Sequence, residues 1–131
     1  MPAPPPRPAT LALASGPWAE GHALALLRQQ GWWLLSRNWR CRWGELDLVM
    51  AKPGRVLVVE VKGRRPGSRD GAGRAALGWP KRQRLARAWS CWLVAHPEQA
   101  PWPVELVAAL VPLPVAPGAP QGPVRWIRLE V

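Results

Sequence analysis

Two short segments near the middle of the chain, Gly44-Glu45-Leu46-Asp47-Leu48-Val49 and Val58-Val59-Glu60-Val61-Lys62, constrain the fold most. Both have the aliphatic content of buried strands, yet each carries ionised groups. Side chains alternate along a strand, so Glu45 and Asp47 share one face, and Glu60 and Lys62 share one face. Between the segments, Ala51-Lys52-Pro53-Gly54-Arg55 suits a hairpin turn. With an even number of residues in that loop, Asp47 and Glu60 fall on the same side of the sheet. Like charges so placed repel. Their burial is costly unless something positive lies between them, and a divalent metal meets that need.

The flanking pattern predicts the other elements. Ser15-Gly16, Pro17 and Gly31 bracket a first helix whose apolar stripe includes Trp18, Ala23, Leu24 and Leu27. Glu20, four residues before Leu24, lies on the core-facing side. Trp32 to Arg40 reads as a strand, and Pro80 opens a second helix running to about His96. The apolar face of that helix is Leu85, Ala88, Trp89, Trp92 and Leu93. Val104 to Val111 and Val124 to Leu129 read as further strands. The expected order is α-β-β-β-α-β-β, an α/β or α+β sandwich with a mixed central sheet flanked by helices.

Residues 1–14 read as a disordered Pro/Ala-rich segment, 63–79 as a mobile basic loop, and 112–123 as a Pro/Gly-rich loop. Residues 15–131 then form one domain, large enough for a single core. No apolar run suffices to span a bilayer, and the first residues lack the apolar stretch of a signal peptide. The expectation is a soluble, cytoplasmic protein with no membrane association. Cys41 and Cys91 belong to no CxxC pair and read as reduced, buried thiols.

The chain carries a formal charge of +10. Between Lys62 and Arg87 nine basic residues face one acid, Asp70. That balance favours a polyanionic partner, nucleic acid ahead of a membrane surface. Arg outnumbers Lys fifteen to three, and Phe and Tyr are absent, so composition bias contributes to both the arginines and the ten tryptophans. Without Phe or Tyr, Trp is the expected large core side chain.

An acid on one strand followed by Glu-x-Lys on the next is a layout suited to metal-dependent phosphodiester cleavage. Asp47, Glu60 and Glu45 would hold Mg²⁺ or Mn²⁺, which take oxygen ligands. Lys62 would reach the phosphate or orient the attacking water, and Glu20 would complete the site from the first helix. Lys81, Arg82 and Arg84 crowd the second helix's first turn, where cations oppose the helix dipole. A bound phosphate would reverse that penalty. An exposed strand-end ion pair would explain Glu60 and Lys62 without chemistry, and the helix dipole alone would favour Glu20. Asp47, among Leu46, Leu48, Val49 and Met50, is hardest to explain that way. His22 is expected to face solvent and His96 to suit the helix end.

Trp18-Ala19-Glu20, Arg37-Asn38-Trp39-Arg40, Gly44 to Val49, Val59-Glu60-Val61-Lys62-Gly63-Arg64 and Lys81 together resemble the bacterial YraN family over roughly residues 16 to 111. That family is similar to Holliday-junction resolvases of the PD-(D/E)xK nuclease superfamily. The resemblance implies a restriction-endonuclease-like fold. It sets Asp47, Glu60 and Lys62 at the metal and catalytic positions and Glu20 at the first-helix acid. Leu46 stands where the superfamily motif has Pro, and Pro103-Val104-Glu105 stands where the family usually has an Arg-Phe-Asp type strand.

The expected function is metal-dependent cleavage of DNA, branched or damaged DNA included. Arg64, Arg65, Lys81, Arg82 and Arg84 would form the nucleic-acid contacts. Junction cleavage needs two active sites and so favours a homodimer. The alternatives are a nucleic-acid-binding module without turnover and a basic protein-interaction factor, which leaves the acids unexplained.

Overall fold

The computed structural model describes residues 15–65 and 78–130. The N-terminal segment 1–14 and most of the basic loop, with Arg69, Asp70 and Arg74, lie outside the described residues. The elements follow the expected order: α1 (Ser15–Gln29), β1 (Trp33–Cys41), β2 (Gly44–Lys52), β3 (Arg55–Arg64), α2 (Trp79–Ala95), a 3-10 turn (Pro97–Gln99), β4 (Val104–Pro112) and β5 (Arg125–Arg128).

One five-stranded sheet runs β1-β2-β3-β4-β5. The β3–β4 pair is parallel and the other three pairs are antiparallel. A parallel pair requires a long crossover, which here contains α2. Each face of the sheet is covered by one helix, giving the α/β, restriction-endonuclease-like arrangement.

Local sequence explains the joints. Gly31, at φ +90°, ends α1 in the left-handed conformation. The amides of Gly31 and Trp32 donate back to the Arg28 and Leu27 carbonyls, a Schellman closure. Lys52 pairs with Arg55 across a two-residue turn. Proline fixes the first turn position, and Gly54, at φ +72°, supplies the positive φ of the second. The loop is therefore even, as the expectation for Asp47 and Glu60 requires, although the ladder ends one pair short of them, at Leu48↔Val59.

Two cores sandwich the sheet. Ala19, Ala23, Leu24 and Leu27 of α1 pack on Leu48, Met50, Leu57, Val59, Val107, Ala109 and Val111. Leu85, Ala88, Trp89 and Trp92 of α2 pack on Val49, Val56, Val58, Leu106 and Ala108, with Leu46. Trp92 is fully buried, donates its indole N–H to Ser36 Oγ at 2.9 Å and stacks on Trp89 and His96.

Tryptophan is not the general core residue that composition suggests. Only Trp89 and Trp92 are buried, while Trp18, Trp33, Trp79 and Trp126 are exposed. Aliphatic side chains fill most of the space between helices and sheet, leaving the indoles at its margins. Trp18 thus leaves the α1 stripe and stacks on His22, which is half-buried instead of facing solvent. The cysteines are free but half-buried, and burial with the neighbouring Cys41 pushes the Cys91 thiol up from its ordinary value.

Candidate active site

The acids gather where β2 enters the sheet, β3 leaves it and both helices begin. The β2–β3 ladder reaches Leu48↔Val59 and goes no further, whereas β2 stays paired with β1 as far as Gly44. Strands β2 and β3 therefore part at Asp47. Its carboxylate takes over from the ladder: Val61 N–H donates to Asp47 Oδ2 at 2.8 Å. Beyond this point alternation also changes, since Leu48 packs under α1 while Leu46 joins the core under α2.

Asn38, with φ +52°, is the positive-φ residue other than glycine among the described residues. It lies in β1 between two residues paired with Leu48 and Leu46, so the bend in β1 falls beside Asp47. Asparagine tolerates this conformation better than most side chains.

Glu20, Glu45 and Asp47 each present a carboxylate oxygen, all within 4.8 Å of one another. Arg37 Nε lies 3.5 Å from Glu20 Oε1, and Arg40 Nε lies 3.3 Å from Glu45 Oε2. Glu60 is the buried charged residue among those described, and Lys81 Nζ approaches its Oε1 at 3.0 Å. Glu60 Oε2 is buried with neither a hydrogen bond nor an ion pair, and Glu20 Oε1 is buried with only the Arg37 ion pair. Such orphaned acceptors are rare in folded proteins.

Burial pushes the Asp47 carboxyl up to about 8, with the negative charge of Glu60 next in importance. Glu20 and Glu45 add to the rise, while the Val61 amide opposes it. The donor set is all oxygen and closely grouped, and Asp47 at its centre has no ion-pair partner among the described residues. The set fits a hard divalent cation such as Mg²⁺ or Mn²⁺ better than a metal seeking nitrogen or sulfur.

The structure brings together Glu20, Glu45 and Asp47, with Glu60 beside them but engaged by Lys81. Lys62 is exposed, as is Arg65, and Arg64 is half-buried. Lys81 points toward the sheet, as its position near the apolar stripe implies. Arg82 donates to the Glu130 carbonyl at 3.4 Å. Arg84 lines a small recess with Lys81, Leu85, Trp43, Gly44 and Glu45.

Sequence reasoning missed the arginines that hold the acids. Arg40 lies directly opposite Glu45 in the β1–β2 ladder. The two-residue Arg42-Trp43 turn, with basic and acidic residues equidistant from it, was the available signal. Trp43 was missed as well: its ring lies 4.5 Å from the Arg42 guanidinium and 4.8 Å from that of Arg87.

Residues 19–110 match the model of a family described as Uncharacterised protein family UPF0102. A UPF0102 protein of Parasynechococcus marenigrum is 48% identical over 122 residues, covering 88% of this chain and 81% of its own length. One from Prochlorococcus marinus is 50% identical over 115 residues, covering 88% of each chain. A more partial match, from Bordetella avium, is 51% identical over 80 residues, 61% of this chain and 54% of the relative. The matched span contains Glu20, Glu45, Asp47, Glu60, Lys62 and Lys81.

Proposed function

The chain belongs to the UPF0102 family, the YraN family of the resemblance above, and we propose that it is a divalent-metal-dependent endonuclease hydrolysing phosphodiester bonds in DNA. The observation that carries this reading is the convergence of four of the chain's eight acids, with a buried Glu60 oxygen left without hydrogen bond or ion pair, in a protein of net charge +10. A binder of polyanions has no use for clustered acids at its basic surface, since they repel phosphate.

Glu20, Glu45 and Asp47 would hold Mg²⁺ or Mn²⁺, with Glu60 alongside. Bound there, the ion would supply an activated water and neutralise charge developing on the phosphoryl oxygens. Asp47 and Glu60 are fixed by β2 and β3 as the strands part, so little reorganisation is needed to present them. Lys62, two residues beyond Glu60, would approach the phosphate or orient the water. Lys81, released from Glu60 by competition for its carboxylate, would take a phosphate oxygen at the α2 N-terminus. Arg64, Arg65, Arg82 and Arg84 would hold the flanking backbone. On this reading the protein works on DNA in the cytoplasm, and a homodimer would suit a branched substrate. Among the described residues no helix is long and apolar enough to cross a membrane.

The 3.0 Å Lys81–Glu60 pair supports a second reading. An internal cation already offsets part of the acidic charge, as it would in a DNA-binding module that has no turnover. Labelled branched, duplex, damaged and single-stranded DNA, incubated with Mg²⁺, Mn²⁺ or EDTA, separates the two. The nuclease reading expects products only with metal. Salt-sensitive binding with no product from any substrate under either metal would overturn it in favour of the binding module.

A further inference from the structure

We infer that Arg42, Arg84 and Arg87, arranged about Trp43, form a second phosphate-binding subsite for the DNA strand entering or leaving the acid cluster. This deepens the nuclease reading and rests on it for the identity of the neighbouring site.

Arg42 and Trp43 are the turn between β1 and β2, and Arg84 and Arg87 lie three residues apart on α2. Residues three apart on a helix occupy the same side. The Trp43 ring draws in two guanidiniums, Arg42 from its own turn and Arg87 from the helix. Arg84 joins Trp43 and Lys81 around the recess that also contains Glu45. Trp43, with Arg87, further lines a shallow groove continuing along α2 past Ser90 and Val94.

Two guanidiniums thus lie against one indole, with Arg84 across the recess beside it. The ion pairs found among the described residues engage Arg37, Arg40, Arg55 and Lys81, and none reaches Arg42, Arg84 or Arg87. Cation–π attraction offsets part of the mutual repulsion. It also holds two guanidiniums over the ring while both arginines stay exposed and able to donate. A stacked arginine is pre-organised for the bidentate grip that phosphate oxygens accept.

The position relative to the acids selects a polymer over a free anion. Trp43 and Glu45 are two residues apart and line one small recess together with Lys81 and Arg84. A phosphate held at the stack would therefore lie within a nucleotide or two of one at the acid cluster. The contacts available are to backbone, so the subsite sets register and polarity without reading sequence.

The test measures binding of a labelled single-stranded oligodeoxynucleotide, and of its duplex, as a function of salt in EDTA. It compares the intact protein with the double variant Arg42→Gln/Arg87→Gln. Arg28→Gln, at the far end of α1, is the control. Both arginines of the double variant are exposed, and its fold is checked by thermal melting.

Loss of two phosphate contacts should lower the slope of log K against log salt by about 1.8 on duplex or about 1.4 on single strand. Arg28→Gln should leave the slope unchanged. An unchanged slope in the folded double variant, an equal fall in the control, or failure of the intact protein to bind either probe would overturn the subsite. Because binding is measured without metal, absence of cleavage would defeat the nuclease reading without altering this outcome.

Discussion

Asp47 is where the physics is most exposed. Its carboxyl titrates near 3.8 when unperturbed and near 8 in the folded, metal-free protein. Between those values the native state retains a proton that the unfolded chain has released. The native state therefore binds more protons, and stability falls as pH rises through this window. Metal-free protein should melt several degrees lower at pH 8 than at pH 5.5, as read by calorimetry in EDTA. Asp47→Asn should flatten that dependence. A steep decline that persists in Asp47→Asn would place its origin elsewhere.

The same substitution should reduce cleavage to the level seen without metal while leaving metal-free DNA binding equal near pH 7, where Asp47 is mostly protonated, and tighter above pH 8, where the variant lacks its charge. Wild-type turnover by the variant would remove Asp47 from the chemistry. Lys81→Ala should weaken binding and lower the salt slope by roughly 0.7–0.9, one contact's worth. An unchanged slope would leave Lys81 only its contact with Glu60. At this scale the sequence was legible where a charge interrupts an aliphatic strand. Asp47 and Glu60 stood out for that reason. The roles of Arg37, Arg40 and Trp43 were not legible, because each depends on which residue lies across the ladder or on α2.

Among the elements, the β2–β3 hairpin was the most legible, since Pro53-Gly54 defines both the turn and its length. Hydrophobic spacing and the Gly31 stop were equally explicit for the helices. The parting of β2 from β3 at Asp47 was not. It depends on a side-chain carboxylate replacing a ladder partner and on the bend at Asn38, and neither leaves a periodic trace. Asn38→Val should cost about 1–2 kcal/mol, the penalty of the left-handed conformation for an ordinary side chain. Asn38→Gly should be close to neutral. Equilibrium denaturation of both variants checks this, and equal stability would show that the bend is unstrained.

At the scale of the whole molecule, an acidic site is set into a basic chain. On the proposed reading, the net charge would draw in a polyanion from a distance, while the clustered acids would resist its closest approach until a cation intervened. Charge balance points to that partner class from composition alone. The division of labour was harder to see, because cations that engage acids (Arg37, Arg40, Lys81) and cations proposed to meet phosphate look alike in sequence. Only the fold sorts them. The central claim is that the acids where β2 and β3 part constitute a divalent-metal site. Calorimetric titration of Mn²⁺ into metal-free wild type and Asp47→Asn tests it most directly. The account predicts saturable binding by the wild type that is lost in the variant, whereas absence of binding by folded wild type, or equal binding by both, would contradict it.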